Sequence, residues 1–268
     1  MTADERLARV QVKIDIADKH IAALDLTIRE FLNKNPYKVG VRREPETRRL
    51  IYYVTEATPT PKELPAITGD IIQNLRSALD HLAYQLFLVG TGGNSGTGTH
   101  VYFPIADSHA KYKGDLARKV NGMQKAAIDA ISAFEPYKSG KGHDLWTIHA
   151  LNNIDKHRLL FTVGGAFLSV DLGPVVSAMF KKSFADKFSN IELPELFMKP
   201  ADVLCPLTVG AELYIDAPDA EVNEKIKFIF NVALNEPGII EATPLPESLQ
   251  KLSGAVRDVV GQFKSHLM

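Results

Sequence analysis

Asn74, Ser77, His81 and Tyr84 follow one another at spacings of three and four in a 268-residue chain, so on a helix they share one stripe. Neither lysine nor glutamate falls between Thr68 and Phe87, which sets this stripe apart from an ordinary solvated face. It is either a buried hydrogen-bonded network or the lining of a site. Arg76 and Asp80 stand among the same residues and add a cation and a carboxylate. A second polar set lies further on. His149, Asn153 and His157 are four and four apart and stack on one helix face, followed by Lys156 and Arg158 within Asp155-Lys-His-Arg158. Imidazoles can transfer protons near neutral pH, and arginine and lysine can hold the charge of a phosphate. Arg42 and Arg43 form a third group with Lys38, Arg48, Arg49, Tyr37, Tyr52 and Tyr53, the densest basic and aromatic cluster in the sequence. That cluster reads either as a phosphate-gripping arm or as a solvated edge hairpin whose charges discourage strand addition.

The elements that must position these residues follow from periodicity. The stretch Thr68 to Phe87 has apolar residues at Ile71, Ile72, Leu75, Leu79, Leu82, Ala83 and Leu86, the recurrence of a helix with a broad buried face. A proline-rich extended linker, Thr58 to Pro65, leads into it and a glycine-rich loop, Gly90 to Gly98, follows it. Its mate is a helix from Asp144 to about His157, with Leu145, Ile148, Leu151 and Ile154 as the apolar stripe. Thr2 to Asn33 reads as one long helix. Thr2 and Glu5 fit a capping box, and Leu7, Val10, Ile14, Ala17, Ile21, Leu24, Ile28 and Phe31 form a seam. That seam suits packing within the chain or against a second subunit.

Residues 37–43 and 48–55 read as a β-hairpin, and 108–120 and 123–134 as two modest helices. From Leu159 the pattern changes to strands: Leu159 to Val163, Ala166 to Leu172, Val175 to Phe180, Glu212 to Ile215, Lys225 to Leu234 and Ile239 to Ala242. A last helix runs from Glu247 to His266. The fold class expected is α+β: a helical bundle with a β-hairpin insertion and a strand-rich C-terminal half closed by a final helix. Residues 1–158 make the helical part with its hairpin at 37–55. Residues 159–268 make the strand-rich part, either separate or packed with the first as one unit.

Composition bounds the function. With 45% hydrophobic and 24% charged residues the chain is that of a globular protein, and a formal net charge of -1 excludes a globally basic nucleic-acid binder while permitting local patches. Cys205 is the single cysteine, which excludes an intrachain disulfide and a thiolate zinc cage. The start, Met-Thr-Ala-Asp-Glu-Arg, has no apolar signal region, and no apolar run reaches the length of a membrane span. A cytoplasmic location without a membrane partner is the expectation.

Three accounts of the polar stripes follow. In the first they form a satisfied network that only specifies helix packing, in a non-catalytic structural or interaction protein. In the second Asp80, His81, His149, Asp155 and His157 hold a metal for hydrolysis, although neither HExxH nor a Glu-x-x-His pair is present. The third starts from Arg76-Ser-Ala-Leu-Asp-His81, within Asn74-Leu-Arg-Ser-Ala-Leu-Asp-His-Leu82. This segment resembles the motif helix of HEPN domains, helical bundles marked by Arg, four to six residues, then His. The resemblance implies a metal-independent ribonuclease or RNA-binding protein of the defence or toxin–antitoxin kind. His81 would move the proton, Arg76 would hold the phosphate, and a 2′-hydroxyl would attack. Asn74, Ser77, Asp80, Tyr84, His149, Asn153 and His157 would support them, and Arg42, Arg43, Lys156 and Arg158 would contact phosphates. RNA is then the partner, and neither a metal nor another cofactor is required. Residues five apart on a regular helix differ in direction by about 140°. A site using both Arg76 and His81 therefore calls for a second copy of the chain.

Overall fold

The computed structural model describes residues 1–94, 100–157, 161–177, 196–200 and 204–268. Helix α1 (Ala3–Leu32) opens with the capping box: Thr2 Oγ1 accepts from the Glu5 N–H at 3.2 Å, and the Thr2 N–H donates to Glu5 Oε2 at 2.7 Å. Its seam from Val10 to Phe31 is buried, and it packs inside the chain, against α2 (Leu64–Gly90) and the C-terminal helix α6 (Leu245–Gln262). Helix α2 begins four residues before the start expected from its apolar periodicity. Pro65, expected to extend the linker, sits instead in the first turn, where its missing N–H costs no hydrogen bond.

Strands β1 (Tyr37–Arg43) and β2 (Arg49–Ala57) form the expected hairpin, and β2 pairs on its other side with β5 (Glu212–Pro218). A strand from the second half thus completes a sheet begun in the first. The other sheet has the order β4-β3-β6-β7, all antiparallel, from β3 (Val163–Asp171), β4 (Phe197–Met198), β6 (Lys227–Glu236) and β7 (Ile240–Pro244). Ile226, Phe228, Phe230 and Val232 turn to the core side, as their alternation requires.

Two strand expectations are corrected. Gly164 and Gly165 do not separate two strands; β3 runs through them. A Cβ on Gly165 would run into the Tyr37 hydroxyl, so glycine is there to admit a ring. Residues 175–177 are helical rather than extended, and the rest of the expected strand to Phe180 lies outside the described residues, as do Leu159 and Leu160.

Helices α3 (His109–Lys119), α4 (Lys125–Ala133) and α5 (His143–His157) complete the helical layer, and a 3-10 turn (Lys264–Leu267) ends the chain. One apolar cluster joins α1, α2, α5 and α6 to both sheets, with Leu75, Leu79, Leu82, Leu86, Ile148 and Leu151 fully enclosed and Ile154 at its margin. The architecture is α+β, as expected. Among the described residues, no helix is long and apolar enough to cross a membrane.

Candidate functional site

The polar residues of α2 divide by direction. Arg76 points inward and is only 7% exposed. Its Nη2 lies 2.8 Å from Asp80 Oδ1, one helical turn on, and donates to the Phe103 carbonyl at 3.1 Å. Asp80 Oδ1 also accepts the Phe103 N–H at 3.0 Å. The pair therefore holds both backbone groups of one residue in the segment between α2 and α3. His81 is on the exposed side of α2, as the 140° offset between these positions requires, and Arg76 and His81 do not converge within one chain. Tyr84 is exposed too, stacked on Phe87 at 6.1 Å between ring centroids.

Asn74 of the stripe, and Gln85 outside it, join α2 to α1. Asn74 Oδ1 accepts from Lys13 Nζ of α1 at 3.2 Å, while its amide donates to the Asp70 carbonyl. Buried Gln85 accepts from Arg6 Nη1 of α1 at 3.0 Å. Ser77 is bonded within α2, to Gln73.

Helix α5 runs antiparallel to α2. Asp155 lies against Gly69, where a Cβ would strike its carboxylate, and His149 lies in the field of Arg76. Burial raises the Asp155 carboxyl above its ordinary range, and Asp70 adds to that. His149 Nε2 is 3.3 Å from the Asn153 amide, and its Nδ1 is buried without a partner. Burial pushes the imidazole down to about 4, and the charges of Arg76 and Lys119 act in the same direction; only Asp107 opposes them. Asn153, Lys156 and His157 are exposed at the end of α5, and Arg158 lies outside the described residues.

Two residues of this junction were not expected from sequence. Lys119, at the end of α3, donates to the Ile105 carbonyl at 3.2 Å with its side chain 16% exposed. Asp107 accepts from Trp146 Nε1 of α5 at 3.2 Å, and that bond is the main reason its carboxyl lies below the usual range. Phe103, Ile105 and Asp107 thus fasten one short segment to α2, α3 and α5 in turn. A surface-looking lysine in a polar helix gives no sequence signal for this, because the burial comes from the segment folded over it.

Burial lifts the Asp80 carboxyl above its ordinary range, and Arg76 and the Phe103 N–H offset only part of that. The same burial lowers Arg76, against the pull of Asp80.

The hairpin arginines are engaged in the first sheet. Arg42 pairs with Glu212 of β5 at 2.6 Å and covers the Tyr53 ring at 4.8 Å. Arg43 donates to the carbonyls of Arg48 and Ala220, each at 2.7 Å. β1 is the edge of that sheet. Among the described residues, no group of three or more His, Cys, Asp or Glu side chains is placed to hold a metal ion. Neither family models, nor curated proteins, nor solved structures give a match to this chain.

Proposed function

We propose that this chain is a non-catalytic structural or interaction protein, in which the polar residues of α2 serve to dock its neighbours. The observation that supports this best is the engagement of Arg76. A guanidinium that is to hold a substrate phosphate needs free donors facing solvent. Here the group is enclosed, tied to Asp80 and to the backbone of Phe103. Asn74 and Gln85, both bonded to α1, extend the pattern along the helix. The test is to compare Arg76→Lys with wild type for stability and for cleavage of single-stranded RNA. Loss of stability in a protein that cuts no RNA fits the docking role.

A second reading rests on the exposure of His81. An imidazole in solvent on a helix with the Arg-x4-His spacing keeps a HEPN-like, metal-independent ribonuclease in contention, provided a second copy supplies the phosphate-holding group. That reading needs a homodimer with α2 at its interface and cleavage that survives EDTA. Sedimentation combined with RNA cleavage in EDTA tests it; a monomer without cleavage rules it out.

A further inference from the structure

We propose that the outer edge of β1 pairs with the β1 edge of a second copy of this chain, antiparallel about a two-fold axis at Val41. The inference starts from backbone groups that the fold leaves unused. Among the described residues, β2 is the one strand paired with β1. The Glu44 N–H donates to the Arg49 carbonyl at 2.9 Å, so Glu44 turns its backbone toward β2. Alternation along the register does the same for Arg42 and Gly40 and turns the N–H and carbonyl groups of Val39, Val41 and Arg43 outward. Val54, opposite Val39, fixes the phase independently. Its N–H donates to the Ala211 carbonyl at 2.9 Å and its carbonyl accepts from Gly210 at 2.8 Å, both away from β1. An open row of this kind is a template for another strand.

The side chains select the strand that fits. Lys38, Gly40, Arg42 and Glu44 alternate onto the face of the sheet away from the core, while Val39 and Val41 pack toward it. Pairing centred on Gly40 would set Lys38 opposite Arg42 of the second copy, and pairing centred on Arg42 would set the two Arg42 side chains against each other; like charges directly opposite are unfavourable. Centred on Val41, the register sets Lys38 opposite Glu44 of the second copy, twice by symmetry, and Arg42 opposite Gly40. The Lys38 side chain is 58% exposed, with Glu56 no nearer than 3.8 Å. The Glu44 carboxylate accepts from the Thr47 hydroxyl and has no cationic partner among the described residues. Gly40 offers bare backbone to the arginine, and a Cβ there would already strike the Thr55 methyl at 2.6 Å. The charges that discourage strand addition in other registers therefore select this one. The contact joins two three-stranded sheets into one continuous sheet and buries only their edges, so the association is weak and concentration-dependent.

The inference goes beyond the docking role of α2 and does not depend on it. Sedimentation equilibrium should show a mass that rises from one chain toward two with concentration. Val41→Pro removes a donor that the single chain does not use, so it should abolish that rise while urea unfolding stays cooperative. Lys38→Glu and Glu44→Lys each set like charges opposite one another and should weaken self-association about tenfold. Mixed together, these two variants regain opposite charges at both contacts and should associate about as tightly as wild type, a readout that stands even where Val41→Pro does not fold. A chain that stays monomeric at every concentration, a dimer indifferent to all three substitutions, as one through α2 would be, or a mixture no tighter than its components would each overturn the assignment.

Discussion

Removing Asp80 tests the clamp most sharply. Its carboxylate accepts from Arg76 at 2.8 Å and from the Phe103 N–H at 3.0 Å. Asp80→Ala therefore leaves a guanidinium that is 7% exposed with the Phe103 carbonyl as its remaining partner, and it orphans a backbone donor. Breaking a buried pair from one side costs about 3–5 kcal/mol. An exposed pair at the same spacing is worth only about 0.3–0.5 kcal/mol. The pair itself is not a large source of net stability, since burial outweighs mutual attraction at both ends and raises the Asp80 carboxyl. A double change, Arg76→Met with Asp80→Leu, should thus cost less than either single removal. Urea unfolding of the four proteins, with unchanged slopes, reads the coupling directly. An Asp80→Ala loss under about 1 kcal/mol, or a double variant as poor as the sum of the singles, would refute the buried-clamp reasoning.

Three further outcomes are expected. Leu79 is fully enclosed between α2 and its neighbours, so Leu79→Ala should cost about 2–5 kcal/mol in urea unfolding; a surface-like loss would misplace the core. The Tyr37 hydroxyl is buried without a partner, its ionisation pushed up to about 12 by burial, so Tyr37→Phe should raise stability by about 1 kcal/mol, and a loss would show a bonded hydroxyl. His149 ionises at about 4 when folded against about 6.5 unfolded, so between these values the unfolded chain binds more protons. Its contribution is fully present above pH 6.5 and is lost as pH falls toward 4, by at most about 3 kcal/mol. The difference between wild type and His149→Gln, measured by unfolding across that range in phosphate-free buffer, should show that slope.

Local signals in the sequence carried far. The capping box at Thr2, the seam from Val10 to Phe31 and the buried face of α2 are each written in spacings that a single helix obeys. Long-range partners are different. Nothing near Arg42 or Arg43 announces Glu212 or the Ala220 carbonyl, because those partners arrive through pairing of β2 with a strand far along the chain. Gly164-Gly165 resembles a break until Tyr37 is seen to need the space. The divergence of Arg76 and His81 could be computed from helical geometry alone. The inward turn of Arg76 could not, since it depends on Phe103, a residue whose own position rests on Asp80. Lys119 and Asp107 were invisible for the same reason: their setting is made by the segment between α2 and α3.

On the proposed docking role, Arg76 and Asp80 fasten the segment at Phe103 to α2 and the Arg-x4-His spacing cuts no RNA, which one preparation each of wild type and His81→Ala tests. His81 is exposed on α2, so the substitution should leave the melting midpoint within the range of surface changes, about 0.5 kcal/mol. Single-stranded RNA incubated with either protein in EDTA should remain intact. Cleavage by wild type that persists in EDTA and disappears in an equally stable His81→Ala protein would contradict the account.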